Sequence, residues 1–169
     1  AVLCALLEPG IQVGGAALRG RLNAAEAAYR AASVIAPDRA LPFASLGDVL
    51  RRQGLIDASL VAYGSALSRA PRDEASLRGR AELHADAGRR TDAALDYEAL
   101  AEVLEGAGRL TDACDAARRA LELAESRSRR REMERLSALL RERGGDDRTA
   151  AEALDDAFRI LDAGEVPPG

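Results

Sequence analysis

The sequence predicts an all-α fold of stacked antiparallel helix pairs, on three observations. Tyr29, Tyr63 and Tyr97 recur at a step of 34 residues, Gly20, Gly54 and Gly88 keep that step, and Pro37 and Pro71 repeat it once. A fixed period of this size marks a repeated supersecondary unit that buries its apolar face only against its neighbours. Aromatic residues are 3% of the chain and hydrophobic residues 47%, so the interior must be built from Ala and Leu, which suits closely approaching helices. Such arrays present an extended surface, and that points to binding rather than catalysis.

The elements follow in order. The apolar run Ala1–Leu7 is too short to span a membrane and reads as the tail of a helix that began earlier, with the N-terminus expected to be incomplete. After Gly20, Leu22–Ile35 places Leu22, Ala25, Ala28, Tyr29, Ala32 and Ile35 at helical spacing, and Pro37-Asp38 stops it. Leu41–Gln53 carries Pro42 in its first turn, where a missing N–H does no harm, and Gly54 caps it. Ile56–Arg69 ends before Pro71, and Glu74–Ala87 closes at Gly88. The period then breaks. The next matching turn is Gly108, only 20 residues on, so Thr91–Glu105 reads both as the second helix of one pair and as the first of the next, or else marks a deletion. A helix opens at Leu110, another covers Arg129–Arg143, and Thr149-Ala150-Ala151-Glu152 is a capping box for a last helix to Asp162.

Composition removes several chemistries. All 24 basic residues are Arg, which excludes a Lys-dependent phosphate loop or Schiff base. With so much Ala and Gly, this usage suits a GC-rich bacterial coding sequence. The net charge of -4 argues against general nucleic-acid binding. Cys4 and Cys114 could form one disulfide but read as buried free thiols. No metal or cofactor site is expected. His84 stands alone and reads as a helix-contact residue, with no nucleophile motif beside it. The Arg-rich stretch Arg127, Arg129, Arg130, Arg131 and Arg135 is interleaved with Glu122, Glu125, Glu132 and Glu134, for example Glu125 with Arg129, and reads as a solvated helix face. Gly144-Gly145-Asp146-Asp147 resembles the signature of cyclic-dinucleotide synthases, but it joins two helices and reads as a loop with a helix start.

Phe43, Leu46, Gly47, Leu50 and Gly54, followed by Ser59, Tyr63, Ala66 and Pro71, form a pattern that resembles a tetratricopeptide repeat. Ala25, Tyr29, Ala32 and Pro37 repeat its second half, and Ala93 and Tyr97 repeat it in part. Small residues let the two helices approach, the aromatic fills the gap to the neighbour, and Gly and Pro make the turns. The first repeat departs from the pattern at Gln12, Val13, Gly14 and Gly15. The resemblance implies a right-handed α-solenoid with a concave groove lined by the first helix of each repeat. On repeats two and three the inward positions are then Ala44, Ser45, Asp48, Arg51, Arg52, Arg78, Gly79, Glu82 and Ala85. The family's carboxylate-clamping variant uses Lys and Asn where this chain has Gly10 and Gly14, with Ser45 and Gly79 at the later places, so that activity is not expected.

The expected organisation is tetratricopeptide-like repeats over 1–125, C-terminal capping helices over 126–164 and a tail over 165–169. The expected function is a non-enzymatic scaffold in a bacterial cytoplasm that captures another protein's peptide or helix in the groove, with no membrane span. Two alternatives stand beside it: self-assembly into a homo-oligomer, and nucleic-acid contact through residues 127–143.

Overall fold

The computed structural model describes residues 9–143 and Arg159, with side chains from Ala17 onward. Among the described residues it is all-α, with helices α1 (Pro9–Ile35), α2 (Ala40–Arg52), α3 (Ile56–Leu67), α4 (Glu74–Asp86), α5 (Arg90–Gly106), α6 (Leu110–Leu123) and α7 (Arg127–Arg143). From α2 onward each helix falls within a few residues of its expected span. Cys4, the Gly144–Asp147 loop and the capping box at Thr149 lie outside the described residues. The chain divides into two compact units, Ala1–Leu83 and His84–Gly169.

Three helix ends close in the same way. The N–H of Gly54 donates to Arg51 O at 3.0 Å, that of Gly88 to Ala85 O at 3.0 Å, and that of Gly108 to Glu105 O at 2.8 Å. The next N–H reaches five residues back, Leu55 to Leu50, Arg89 to His84 and Arg109 to Leu104, at 2.8–2.9 Å. This Schellman closure satisfies carbonyls that the helix leaves unpaired. It places the three glycines at φ +79°, +72° and +76°, a region that disfavours any Cβ. The carbonyls of Leu55, Arg89 and Arg109 then accept from Ser59, Ala93 and Ala113 and start the next helix.

Gly20 behaves differently. The expected turn there is absent, and α1 runs unbroken from Pro9 to Ile35. Gln12, Gly14 and Gly15 offer little apolar area to bury, so folding back would gain little and the chain continues as one helix.

In the first unit α2 packs on α1 and on α3. The α2–α3 contact is closed by Ser59, whose buried hydroxyl donates to Gly47 O at 2.7 Å. Tyr63 is 1% exposed, and its ring fills the space that two glycines leave. A Cβ on Gly47 of α2 would lie 2.7 Å from Tyr63 Cδ1, and one on Gly79 of α4 would lie 2.5 Å from Cζ and Oη. The hydroxyl donates to Asp48. Burial first, and that hydrogen bond second, push the Tyr63 pKa well above its ordinary value. Arg69 stacks over Phe43 at 3.9 Å and donates to the carbonyls of Pro37 and Ser65, which ties the end of α3 to the α1–α2 turn.

In the second unit α6 packs on α5 and on α7. Leu100, Leu104, Cys114, Leu121, Met133 and Leu136 are buried there. Burial pushes the Cys114 thiol up to about 11, with Asp115 and Glu105 adding to it, so it is an unreactive core residue. The last carbonyls of α6 are taken by arginines. Arg90 donates to Leu123 O at 2.8 Å and Glu122 O at 2.9 Å, and Arg129 donates to Ala124 O at 2.7 Å.

Two glycines with opposite surroundings give opposite expectations. Gly20 has nothing within 4 Å of a built Cβ. Gly20→Ala should therefore stabilise the chain by up to about 1 kcal/mol through helix propensity. Gly79→Ala should destabilise it by about 1–3 kcal/mol, because Tyr63 cannot withdraw from a packed core. Urea unfolding followed by circular dichroism reads both. Equal effects of the same sign would refute the wedge.

Candidate functional site

The expected groove positions on α2 and α4 are partly occupied by the protein itself. Ala44 is 7% exposed and Gly79 is buried against Tyr63, so both are packing residues and offer little surface to a ligand. Asp48 is half-buried and accepts from Tyr63. Arg51 of α2 reaches Glu82 of α4 at 2.7 Å, and both stay about 40% exposed. Arg78 pairs along its own helix with Glu74 at 3.0 Å. Ser45 and Ala85 are half-buried, and Arg52 is exposed. The structure thus brings together Arg51, Glu82, Asp48 and the tyrosine hydroxyl, and leaves Arg52 out of that cluster. The pair that bridges the helices is Arg51 with Glu82, not Arg52 with Arg78.

The turns between pairs recur as the turns within pairs do. Ala36 N–H donates to Ala32 O and Arg39 N–H to Ala36 O. Ala70 N–H donates to Ala66 O and Asp73 N–H to Ala70 O, 34 residues later. With the Gly54 and Gly88 closures at the same step, one helical hairpin is repeated in sequence and in backbone hydrogen bonding. The fold is tetratricopeptide-like. No protein-family model and no curated protein matches the chain. Among solved structures it is similar to a tetratricopeptide repeat protein from Parabacteroides merdae, at 23% identity over 85% of this chain and 68% of that one, with a TM-score of 0.46. It is also similar to MamA 41-end from Desulfovibrio magneticus RS-1, at 15% identity over 88% and 90% of the two chains, with a TM-score of 0.43. A double mutant of MamA RS-1 has 15% identity, coverage of 87% and 89%, and a TM-score of 0.44.

The tetratricopeptide-like register reaches residues that the sequence reading stopped short of. A step of 34 aligns α2 with α4, and the 20-residue step from Gly88 to Gly108 aligns α4 with α5. Positions 44 and 78 then correspond to Glu98, positions 48 and 82 to Glu102, and positions 51 and 85 to Glu105. Glu98 and Glu102 line a cavity of about 340 Å³ between α5, α6 and α7. Its floor is Ala101, Ala117 and Ala120, and Ser128, Arg129 and Glu132 form the opposite wall. The shorter step hid this wall from the sequence reading, although applying it at Gly108 would have found both glutamates.

The Arg-rich helix is largely committed to internal pairs. Arg129 Nε lies 2.8 Å from Glu98 of α5, and Arg130 pairs with Glu125. Arg135 holds Glu105 with two nitrogens at 2.6–2.7 Å and also reaches Glu132. The expected Glu125–Arg129 pair is replaced because Glu125 precedes α7, so helical spacing does not apply to it. His84 Nδ1 lies 3.1 Å from Asp96 Oδ2, and the two side chains are 15% and 6% exposed. The aligned pairs are Leu50 with Ala62 and Leu104 with Ala116, all buried and apolar. Among the described residues no group of His, Cys, Asp or Glu could hold a metal ion, and no helix is long and apolar enough to cross a membrane.

Removing His84 alone, as His84→Leu, leaves the Asp96 carboxylate short of a partner in a nearly closed site and should cost about 1–3 kcal/mol. The double variant His84→Leu, Asp96→Ala copies the aligned pairs and should recover most of that loss. A double-mutant cycle in urea measures this, and strictly additive losses would refute the pairing.

Hydrogen bonds from Arg135 hold the Glu105 carboxyl below the usual carboxylate range, against an opposing effect of burial. A carboxylate depressed on folding adds stability above its unfolded pKa, about 4.3, and loses it as pH falls through the lower folded value. Because Arg135 is exposed, Arg135→Ala should cost only about 0.2–1 kcal/mol near neutral pH. That difference from the wild type should shrink on going to about pH 2 and in high salt. Urea midpoints across the pH range check it.

Proposed function

We propose that the chain is a non-catalytic scaffold that binds a peptide or helix of another protein along the outer faces of α2, α4 and α5, with its hairpins acting as a helical solenoid. One observation carries the reading. The core of the first unit is closed by Gly47, Tyr63 and Gly79, while the polar residues beside them, Arg51 and Glu82, remain exposed across two helices. The face is therefore rigid and chemically marked, as a preorganised binding surface requires. α5 serves as the second helix of the Gly88 hairpin and the first of the Gly108 hairpin, which carries the same register onward.

Selection from a displayed peptide library on the whole chain tests this. A selected peptide should lose about tenfold or more in affinity for the Arg52→Glu, Arg78→Glu double variant, with helicity unchanged. Equal affinity for both proteins would remove the face from the proposal.

Self-association is favoured by a different observation. Val34, Ile35 and Leu41 flank the α1–α2 turn at 80%, 83% and 74% exposure. Concentration-independent monomer mass in light scattering would dismiss that reading.

A further inference from the structure

We propose that the alanine-floored cavity of the second unit takes the cationic side chain of a basic peptide, with the aliphatic stem on the floor and the charged head at Glu102. This rests on the scaffold reading and gives the partner a chemistry.

The charges around the cavity decide its sign. Three carboxylates, Glu98, Glu102 and Glu132, face one guanidinium, that of Arg129. Arg129 is already engaged by Glu98 and by Ala124 O. Glu132 is engaged by Arg135. Glu102 has no ion pair or hydrogen bond among the described residues, and it stands where Asp48 and Glu82 stand on α2 and α4. An anion would meet an unpaired carboxylate here, whereas a guanidinium or ammonium would complete it. An apolar group would fill the floor and leave the carboxylate at the mouth unanswered. The volume of about 340 Å³ lies at the small end of ligand pockets, about 300–1,000 Å³, so one side chain fits better than a folded element. Ala101, Ala117 and Ala120 present methyl groups, the surface along which Arg and Lys lay their methylenes.

The probe is N-acetyl-arginine amide, titrated into the ¹⁵N-labelled full chain. N-acetyl-citrulline amide, equal in shape and without charge, is the control. The expected result is shifts confined to the amides of Ala101, Glu102, Ala117, Ala120 and Ser128 with arginine and none with citrulline. Glu102→Gln should weaken binding by about tenfold. Ser128→Arg, which supplies a competing cation from the rim without touching a paired carboxylate, should do at least as much. The inference is overturned by absence of shifts at these amides, by citrulline binding equally, or by Glu102→Gln binding as the wild type does. A selected peptide that still binds the α2–α4 face would then leave the scaffold reading intact. Arginine bound in the cavity with no peptide selected on the whole chain would sink the scaffold reading instead.

Discussion

The close approach of helices around Tyr63 is the constraint on which the first unit depends. Two glycines on different helices remove the atoms that would collide with the ring, and a serine hydroxyl takes the carbonyl of one of them. None of these residues is a strong helix former, and Gly47 and Gly79 each weaken their helix locally by up to about 1 kcal/mol. That cost is offset because an aromatic ring buried among three helices gains dispersion and transfer energy that alanine contacts cannot supply. In a chain so poor in aromatics, one tyrosine does the work of several larger core residues. Ser45, Asp48, Arg51 and Glu82 inherit their positions from this packing, because the same turns of α2 and α4 that face Tyr63 inward set these residues on the other side.

Much of this was legible in sequence because the turns have local causes. Gly54, Gly88 and Gly108 each end a helix in a conformation that a Cβ resists, and this requirement shows in one residue at a fixed step. Gly20 shares the step and makes no turn. A glycine permits a left-handed cap but does not require one, and the deciding factor at Gly20 was the poverty of apolar residues before it. Pair partners were less legible for a related reason. Side chains of similar type crowd the same stretch, as with Arg51 and Arg52, and which one bridges depends on rotation of the helix by a fraction of a turn. The bridge from Arg51 to Glu82 spans two hairpins, so neither residue's local context predicts it.

The arginines share a common use that composition alone conceals. Arg69 and Arg90 close helix ends through backbone carbonyls, and Arg135 clamps Glu105 with two nitrogens. The planar guanidinium suits each task, because it gives several donors in fixed directions where an ammonium gives a point charge. In Ala-rich hairpins with small contact areas, such forks tie successive elements together at their ends. They also consume cations that the sequence counts as available, and the Arg-rich helix α7 is thereby less basic in effect than in composition.

His84 and Asp96 show where the repeat logic yields. Three hairpins share the register, and two of them place Leu opposite Ala at this position. The middle one places an ionisable pair in nearly the same burial. A hydrophobic pair would pack at least as well, and a buried polar pair adds stability only if its geometry is nearly complete. The exchange is therefore not explained by stability. It makes α4 and α5 specific to one another, since sliding either helix by one turn would bring a charge against Leu or Ala and leave two polar groups unanswered. In an array of near-identical alanine surfaces, where several registers bury similar area, one such pair is enough to discriminate among them. The period breaks at this same hairpin, where α5 must answer to two neighbours at once and a register error would be carried into everything that follows.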